Sequence, residues 1–267
     1  MKKFKILLTN DDGINSPGLL ASAEAASDFG DIIICAPMTQ QTATGRSLYG
    51  KKGAKLEPVK YKVNGVEVEA YSCECSPASV IRHSMAVLFK NESPDLVISG
   101  INYGENIGAT ITSSGTVGAA LESATYRIPS IAVSKETDIN SHHEYTEQDW
   151  SITKHFLKYF IKKVLNNALP FDVDLLKIDV PDNASVSTPW VLTKQARITH
   201  YATRFPKITS DTRIGDGITV INKEHKNLTK NSDIYAMSIE KVVSVTPISL
   251  DLTSRVNFDD LNKLLKD

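Results

Sequence analysis

The sequence predicts an α/β protein with a three-layer, mostly parallel sheet and a β-rich C-terminal extension. Three observations carry the prediction. Apolar runs of strand length at 4–8, 31–36 and 94–100 alternate with segments of helical periodicity, which implies right-handed crossovers. The runs are almost unbroken in their apolarity, as in strands covered on both faces. From about residue 185 the helical periodicity gives way to short β-like segments and polar loops, so the expected division is a core at 1–184 and an extension at 185–267.

Each element follows from local chemistry. The first strand ends on Thr9-Asn10-Asp11-Asp12-Gly13, and Ser16-Pro17 then reads as an N-cap and first helical residue, with the helix stopping near Gly30. A second strand ends at Pro37, and 38–53 reads as a long polar loop. Alternation on both sides of Asn64-Gly65 predicts a hairpin. Ser76-Pro77 opens a second helix, and the third strand exits at Gly100 into a glycine-rich loop over 101–114. A helix over about 116–126, a strand over 130–134, a long helix within 147–168 and a strand over 175–180 complete the core. Beyond it, 190–192, 218–221 and 242–245 read as strands.

With 267 residues, 30 basic and 31 acidic side chains and a net charge of −1, the chain has no global field to draw it to a nucleic acid duplex or a membrane. The N-terminal apolar run is too short for a signal peptide, and no run approaches transmembrane length. Cys35, Cys73 and Cys75 are an odd set without metal-site spacing. The expected compartment is the cytoplasm.

Asp11 and Asp12 fall just past a strand, where open α/β sheets bind ligands. Adjacent carboxylates there suit a hard divalent cation, Mg²⁺ or Mn²⁺; the plainer reading is that Asp11 caps the turn and Asp12 is solvated. Gly13 and Gly18 lack dinucleotide-fingerprint spacing, and the carboxylates would repel a bare pyrophosphate. Asn102, beyond the third strand, would converge on them as a neutral ligand if the two strands neighbour, or is an ordinary turn residue. Ser113, Ser114, Gly115 and Thr116 open a helix and present either an anion site or simple caps. Together these features suggest a phosphate ester as substrate.

The histidines offer less. His142-His143 is expected to be exposed, His83 and His155 to be packing or surface residues, and His200 and His225 to lack partners. No G-x-S-x-G elbow is present.

The ordered set Asn10-Asp11-Asp12-Gly13 with Pro17-Gly18, Ala36-Pro37, Ser76-Pro77-Ala78, Ser99-Gly100-Ile101-Asn102-x-Gly104-x-Asn106, Ser114-Gly115-Thr116-Val117 and Ser244-Val245-Thr246-Pro247 resembles the SurE family. The resemblance runs from Ile6 to about Leu252. It implies a Rossmann-like core and a metal-dependent nucleoside 5′/3′-monophosphate phosphatase. It also implies one divalent ion per subunit and a C-terminal part that exchanges elements in a homodimer or homotetramer. The implied metal ligands fall on Asp11, Asp12 and Asn102, with a hydroxyl ligand on Thr42. The family's usual Ser-Gly pair is Thr42-Ala43 here, which keeps the oxygen and is expected to narrow the pocket. Asn106, Ser114, Gly115 and Thr116 fall on positions resembling the phosphate-binding groups.

The implied mechanism is hydrolysis by metal-activated water, with Asp11 or Asp12 as general base. Two alternatives stand beside it. A haloacid-dehalogenase-type phosphatase would need Asp-x-Asp, whereas adjacent aspartates are expected to point to opposite faces. A nucleotide sensor would bind through the same pocket without turnover.

Overall fold

In the computed structural model, residues 3–142, 144–222 and 228–266 are described. His143 and His225 therefore lie outside the described residues. The core elements are β1 (Phe4–Thr9), α1 (Pro17–Ala26), β2 (Gly30–Pro37), β3 (Glu57–Pro58), β4 (Tyr61–Val63), β5 (Val66–Cys73), α2 (Pro77–Val87), β6 (Leu96–Tyr103), α3 (Gly115–Ala124), β7 (Ser130–Lys135), α4 (Ser151–Asn166) and β8 (Leu175–Val180). They are followed by β9 (Trp190–Leu192), β10 (Tyr201–Arg204), β11 (Ile218–Ile221), α5 (Asp233–Tyr235), β12 (Val243–Ile248) and α6 (Phe258–Lys266).

One sheet runs in the order β3-β5-β2-β1-β6-β7-β8-β12-β9, with β4 paired to β5. The stretch β5-β2-β1-β6-β7-β8 is parallel throughout. β12 runs antiparallel to β8 and carries β9 beside it, whereas β10 and β11 form a separate two-stranded ribbon. Strand β1 shows why two helical layers are needed. Ile6 and Leu8 pack into the cluster under α1 and α4, and Leu7, between them, packs into the opposite cluster under α2. All three are fully buried, so the strand has no solvent face. This three-layer α/β arrangement is the one expected from the alternation of strands and helices.

The chain order places β2 on one side of β1 and β6 on the other. That reversal is a topological switch point, and the crevice beyond the carboxyl ends of β1 and β6 is where such sheets take ligands. Thr9 lies opposite Ser99 in the ladder, so the residues leaving both strands emerge side by side.

Several local expectations need correction. Ser16 stands at the N-cap of α1, but its hydroxyl makes no capping bond; Pro17 at N1 sets the helix start. Strand β6 does not stop at Gly100. A register shift between Ser99 and Asn102 lets pairing with β7 resume, so Asn102 is held within the strand end. The segment 233–240, read as polar loop, is helical, with Ser232 capping it through the Tyr235 N–H.

Candidate active site

The turn after β1 is closed by Asn10, whose amide accepts from the Gly13 N–H at 3.1 Å and donates to the Gly13 carbonyl at 3.0 Å. Gly13 sits at φ +103°, a region only glycine enters without strain. Because β1 ends at Thr9, Asp11 and Asp12 lie in a bend. Strand alternation therefore does not apply, and both carboxylates line one cavity. This corrects the expectation that adjacent aspartates would diverge.

The two carboxylates are held differently. Asp11 accepts from the Thr116 hydroxyl and from the backbone N–H groups of Gly115 and Thr116, so the positive end of α3 is aimed at it. A Cβ on Gly115 would lie 2.7 Å from the Asp11 Cβ, so glycine is what permits the helix end this close. Asp12 accepts from the Tyr103 N–H at 3.2 Å and from the Gln40 side chain at 3.2 Å, and its carbonyl accepts from the Tyr145 hydroxyl. Burial pushes the Asp11 carboxyl up to about 6, against those hydrogen bonds. Burial, and then the charge of Asp11, push Asp12 up to about 8.

Asn102 donates its amide hydrogens to the carbonyls of Tyr103 and Gly104, at 3.1 and 2.7 Å, which leaves its oxygen as the acceptor atom. Thr42 and Ala43 reach the same cavity on the loop after β2. That loop is anchored beside the aspartates by a 2.6 Å bond from the Gln41 N–H to the Asp11 carbonyl. Ala43 adopts φ +60°, a conformation that favours glycine.

Asn106 and Ser114 line the same cavity. Asn106 donates through its side chain to the Ser134 hydroxyl at 2.9 Å. Ser114 caps α3 by accepting from the Val117 N–H at 3.1 Å, so the capping reading and the cavity position are both realised. Gly115 and Thr116 stand behind Asp11 rather than on the cavity wall.

The cavity holds about 320 Å³ and has two halves. One is the polar corner just described. The other is formed by Ile139 and His142 with Tyr201, Ala202, Thr203 and Thr219 of the β10–β11 ribbon. Two histidine expectations fail here. His142 lies on the cavity wall, its ring edge-on to Tyr201 at 5.5 Å. His200 is buried and its Nε2 lies 2.8 Å from Glu105 Oε1. Neither pairing had a local sequence signature, since each partner is separated from its histidine by a fold-level connection.

The donor set suits a hard divalent ion. No cationic side chain among the described residues balances Asp11 or Asp12, and buried carboxylates left that way are very costly. Among the described residues there is no cluster of three His, Cys, Asp or Glu side chains, so an ion at this corner would need neutral oxygens beside the two carboxylates. Asn102 and Thr42 offer them.

Fold and site together define an α/β protein with an acidic, oxygen-lined corner at its topological switch point and a helix N-terminus beside it. The family model for survival protein SurE matches residues 6–204. The 5′-nucleotidase SurE of Thermococcus kodakarensis is 37% identical over 263 residues, covering 98% of both chains. That of Methanocella arvoryzae is 35% identical over 274 residues, covering 99% of this chain and 98% of its own. The crystal structure of the SurE protein from Aquifex aeolicus superposes with a TM-score of 0.75 at 29% identity, covering 98% of this chain and all of that one. The chain belongs to the SurE family.

Proposed function

We propose that this chain is a divalent-metal-dependent 5′-nucleotidase that hydrolyses nucleoside 5′-monophosphates, and 3′-monophosphates as well, to nucleoside and phosphate. The observation that carries the reading is the convergence of Asp11, Asp12, Thr42, Asn102, Asn106 and Ser114 on one cavity with a less polar second half. The polar corner takes the phosphoryl group and the half built by the β10–β11 ribbon takes the nucleoside. The relatives named 5′-nucleotidase SurE support the same activity.

Asp11, Asp12, Asn102 and Thr42 would hold one Mg²⁺ or Mn²⁺ per subunit. Such an ion polarises a phosphoryl oxygen and lowers the pKa of water. The chain supplies the rest. Asp11 or Asp12 accepts the proton of the attacking water. Asn106 and Ser114 donate to phosphoryl oxygens as charge grows in the transition state. Gly115 and Thr116 act from behind, keeping Asp11 ionised and in place.

We further propose a cytoplasmic homodimer or homotetramer. No helix among the described residues is long and apolar enough to cross a membrane, and the three cysteines are buried and unbridged. Apolar side chains left exposed on α6 offer a face for a second copy.

The test is phosphate release from AMP, GMP and 3′-AMP with Mn²⁺ or Mg²⁺. Activity is expected with either ion, lost in EDTA, and lowered at least about 100-fold by Asp12→Asn. Nucleotide binding without phosphate release under every divalent ion would support the sensor instead. A trapped phosphoaspartate would support the haloacid-dehalogenase route.

A further inference from the structure

Behind Asn106 lies a buried ion cluster that the chemistry above leaves unused. Lys177 and Asp179 sit two residues apart on β8 and so project to one face of the sheet. Asp233 opens α5. All three side chains have no solvent exposure. Lys177 Nζ donates to Asp179 Oδ2 at 2.5 Å and lies 3.5 Å from Asp233 Oδ2.

One ammonium faces two carboxylates, and backbone N–H groups take the remaining oxygen lone pairs. Asp179 Oδ1 accepts from the Asn106 N–H at 2.7 Å. Asp233 Oδ2 accepts from the Gly108 N–H at 3.0 Å, and its Oδ1 from Ala196 and Ile234, both at 2.9 Å. Alternate amides of the 106–108 turn are thus hung from two carboxylates that the same lysine holds. Buried ion groups of this kind add little net stability, because desolvation offsets the attraction; what they do impose is a fixed geometry.

We propose that Lys177, Asp179 and Asp233 are positioning residues for the reaction, fixing the backbone of Asn106 while Ser134 orients its side chain toward the phosphoryl group. The inference rests on the reading of Asn106 as a phosphate ligand. Asp179 touches the Asn106 backbone and none of the reacting atoms, so it acts through Asn106 alone.

The experiment compares kcat/KM for phosphate release from AMP in Mn²⁺. The variants are Asn106→Ala, Asp179→Asn and the double change Lys177→Met/Asp179→Leu, alone and combined with Asn106→Ala. The double change removes the Lys177–Asp179 pair as a unit and with it the acceptor facing Asn106, leaving Asp233 held by the N–H groups of Gly108, Ala196 and Ile234; a thermal melt checks that it folds. Asn106→Ala and the double change are each expected to lower kcat/KM roughly 10- to 100-fold. Combining them is expected to lower it no further than Asn106→Ala does. Asp179→Asn, which keeps an oxygen opposite the Asn106 N–H, is expected to recover most of the loss. Hydrogen exchange across 103–110 should quicken in the double change and not in Asp179→Asn. A folded double change with wild-type kcat/KM, or losses that multiply, would overturn the inference and leave the proposed activity standing. An Asn106→Ala variant with wild-type kcat/KM would instead remove the reading on which it rests.

Discussion

Glu105 and His200 form a buried pair at the cavity rim, 2.8 Å apart and both less than a tenth exposed. Burial pushes the Glu105 carboxyl up, but the hydrogen bond and charge of His200 outweigh it and hold it below the usual glutamate range. A group held lower in the folded state contributes stability above its unfolded value and loses it as pH falls through the folded value. His200→Phe leaves Glu105 buried without that partner, at a cost of about 3 kcal/mol near neutral pH. The cost should shrink on acidification toward about pH 4, where the carboxyl of the variant takes a proton and is buried neutral. Urea melts of both proteins at the two pH values measure this; an equal cost at both would assign the loss to packing instead. The pair also shows what single residues reveal in a sequence. Asp11 and Asp12 were legible because two carboxylates at a strand end have few structural uses. His200 was not, because its partner is 95 positions away. Thr116 was legible as part of a helix start, but nothing local distinguishes a hydroxyl facing phosphate from one holding Asp11.

Helix α3 does more for the site than present its N-terminus. The loop after β2 is pressed on it by the Gly45 N–H bonding the Ser113 carbonyl at 2.8 Å and by Arg46 Nε bonding Glu122, a nearly fully buried carboxylate, at 2.8 Å. Gly118 makes the contact possible, because a Cβ there would lie 2.2 Å from the Gly45 carbonyl oxygen and 2.7 Å from the Arg46 nitrogen. Both are backbone atoms of the loop that carries Thr42. Gly118→Ala gains about 1 kcal/mol of helix propensity. Overpacking should nonetheless prevail and lower stability by about 1–3 kcal/mol. Displacing Thr42 should also weaken Mn²⁺ binding, read by calorimetry. A lower melting temperature with unchanged Mn²⁺ affinity would mean that Thr42 is not a ligand. The elements themselves were legible where chemistry was local: Asn64 and Gly65 both take positive φ in the hairpin, and Ser76 caps α2. The continuation of β6 to Tyr103 was not, since Gly100 resembles a strand terminator and only pairing with β7 overrides it.

At the scale of the whole molecule, the mostly parallel three-layer arrangement followed from the strand–helix alternation, whereas the strand order and the position of the last segments depended on contacts no periodicity encodes. β12 reaches past the intervening ribbon to pair with β8, and on its other side Thr193 bonds Ser244 and Thr246, each at 2.8 Å. After β12 the chain leaves the core, and α6 has no buried residue. Phe258, Leu261 and Leu265 fall at i, i+3 and i+7, one face of a helix, yet Phe258 is 63% and Leu265 73% exposed. A nine-residue helix is marginal in water by itself, so this face needs a surface to cover it. Burying three such side chains contributes about 1.5–3 kcal/mol each, enough to matter in a dimer of moderate affinity. The proposed dimer therefore predicts that removing residues 250–267 gives monomers in light scattering behind gel filtration, and that Leu261→Asp/Leu265→Asp raises its dissociation constant at least about 100-fold. Every residue assigned to the cavity precedes residue 220, so the truncated chain should still bind AMP. A truncated chain that remains dimeric would move the interface to the exposed isoleucines Ile208, Ile214, Ile218 and Ile221 in and around the β10–β11 ribbon, leaving α6 without that role.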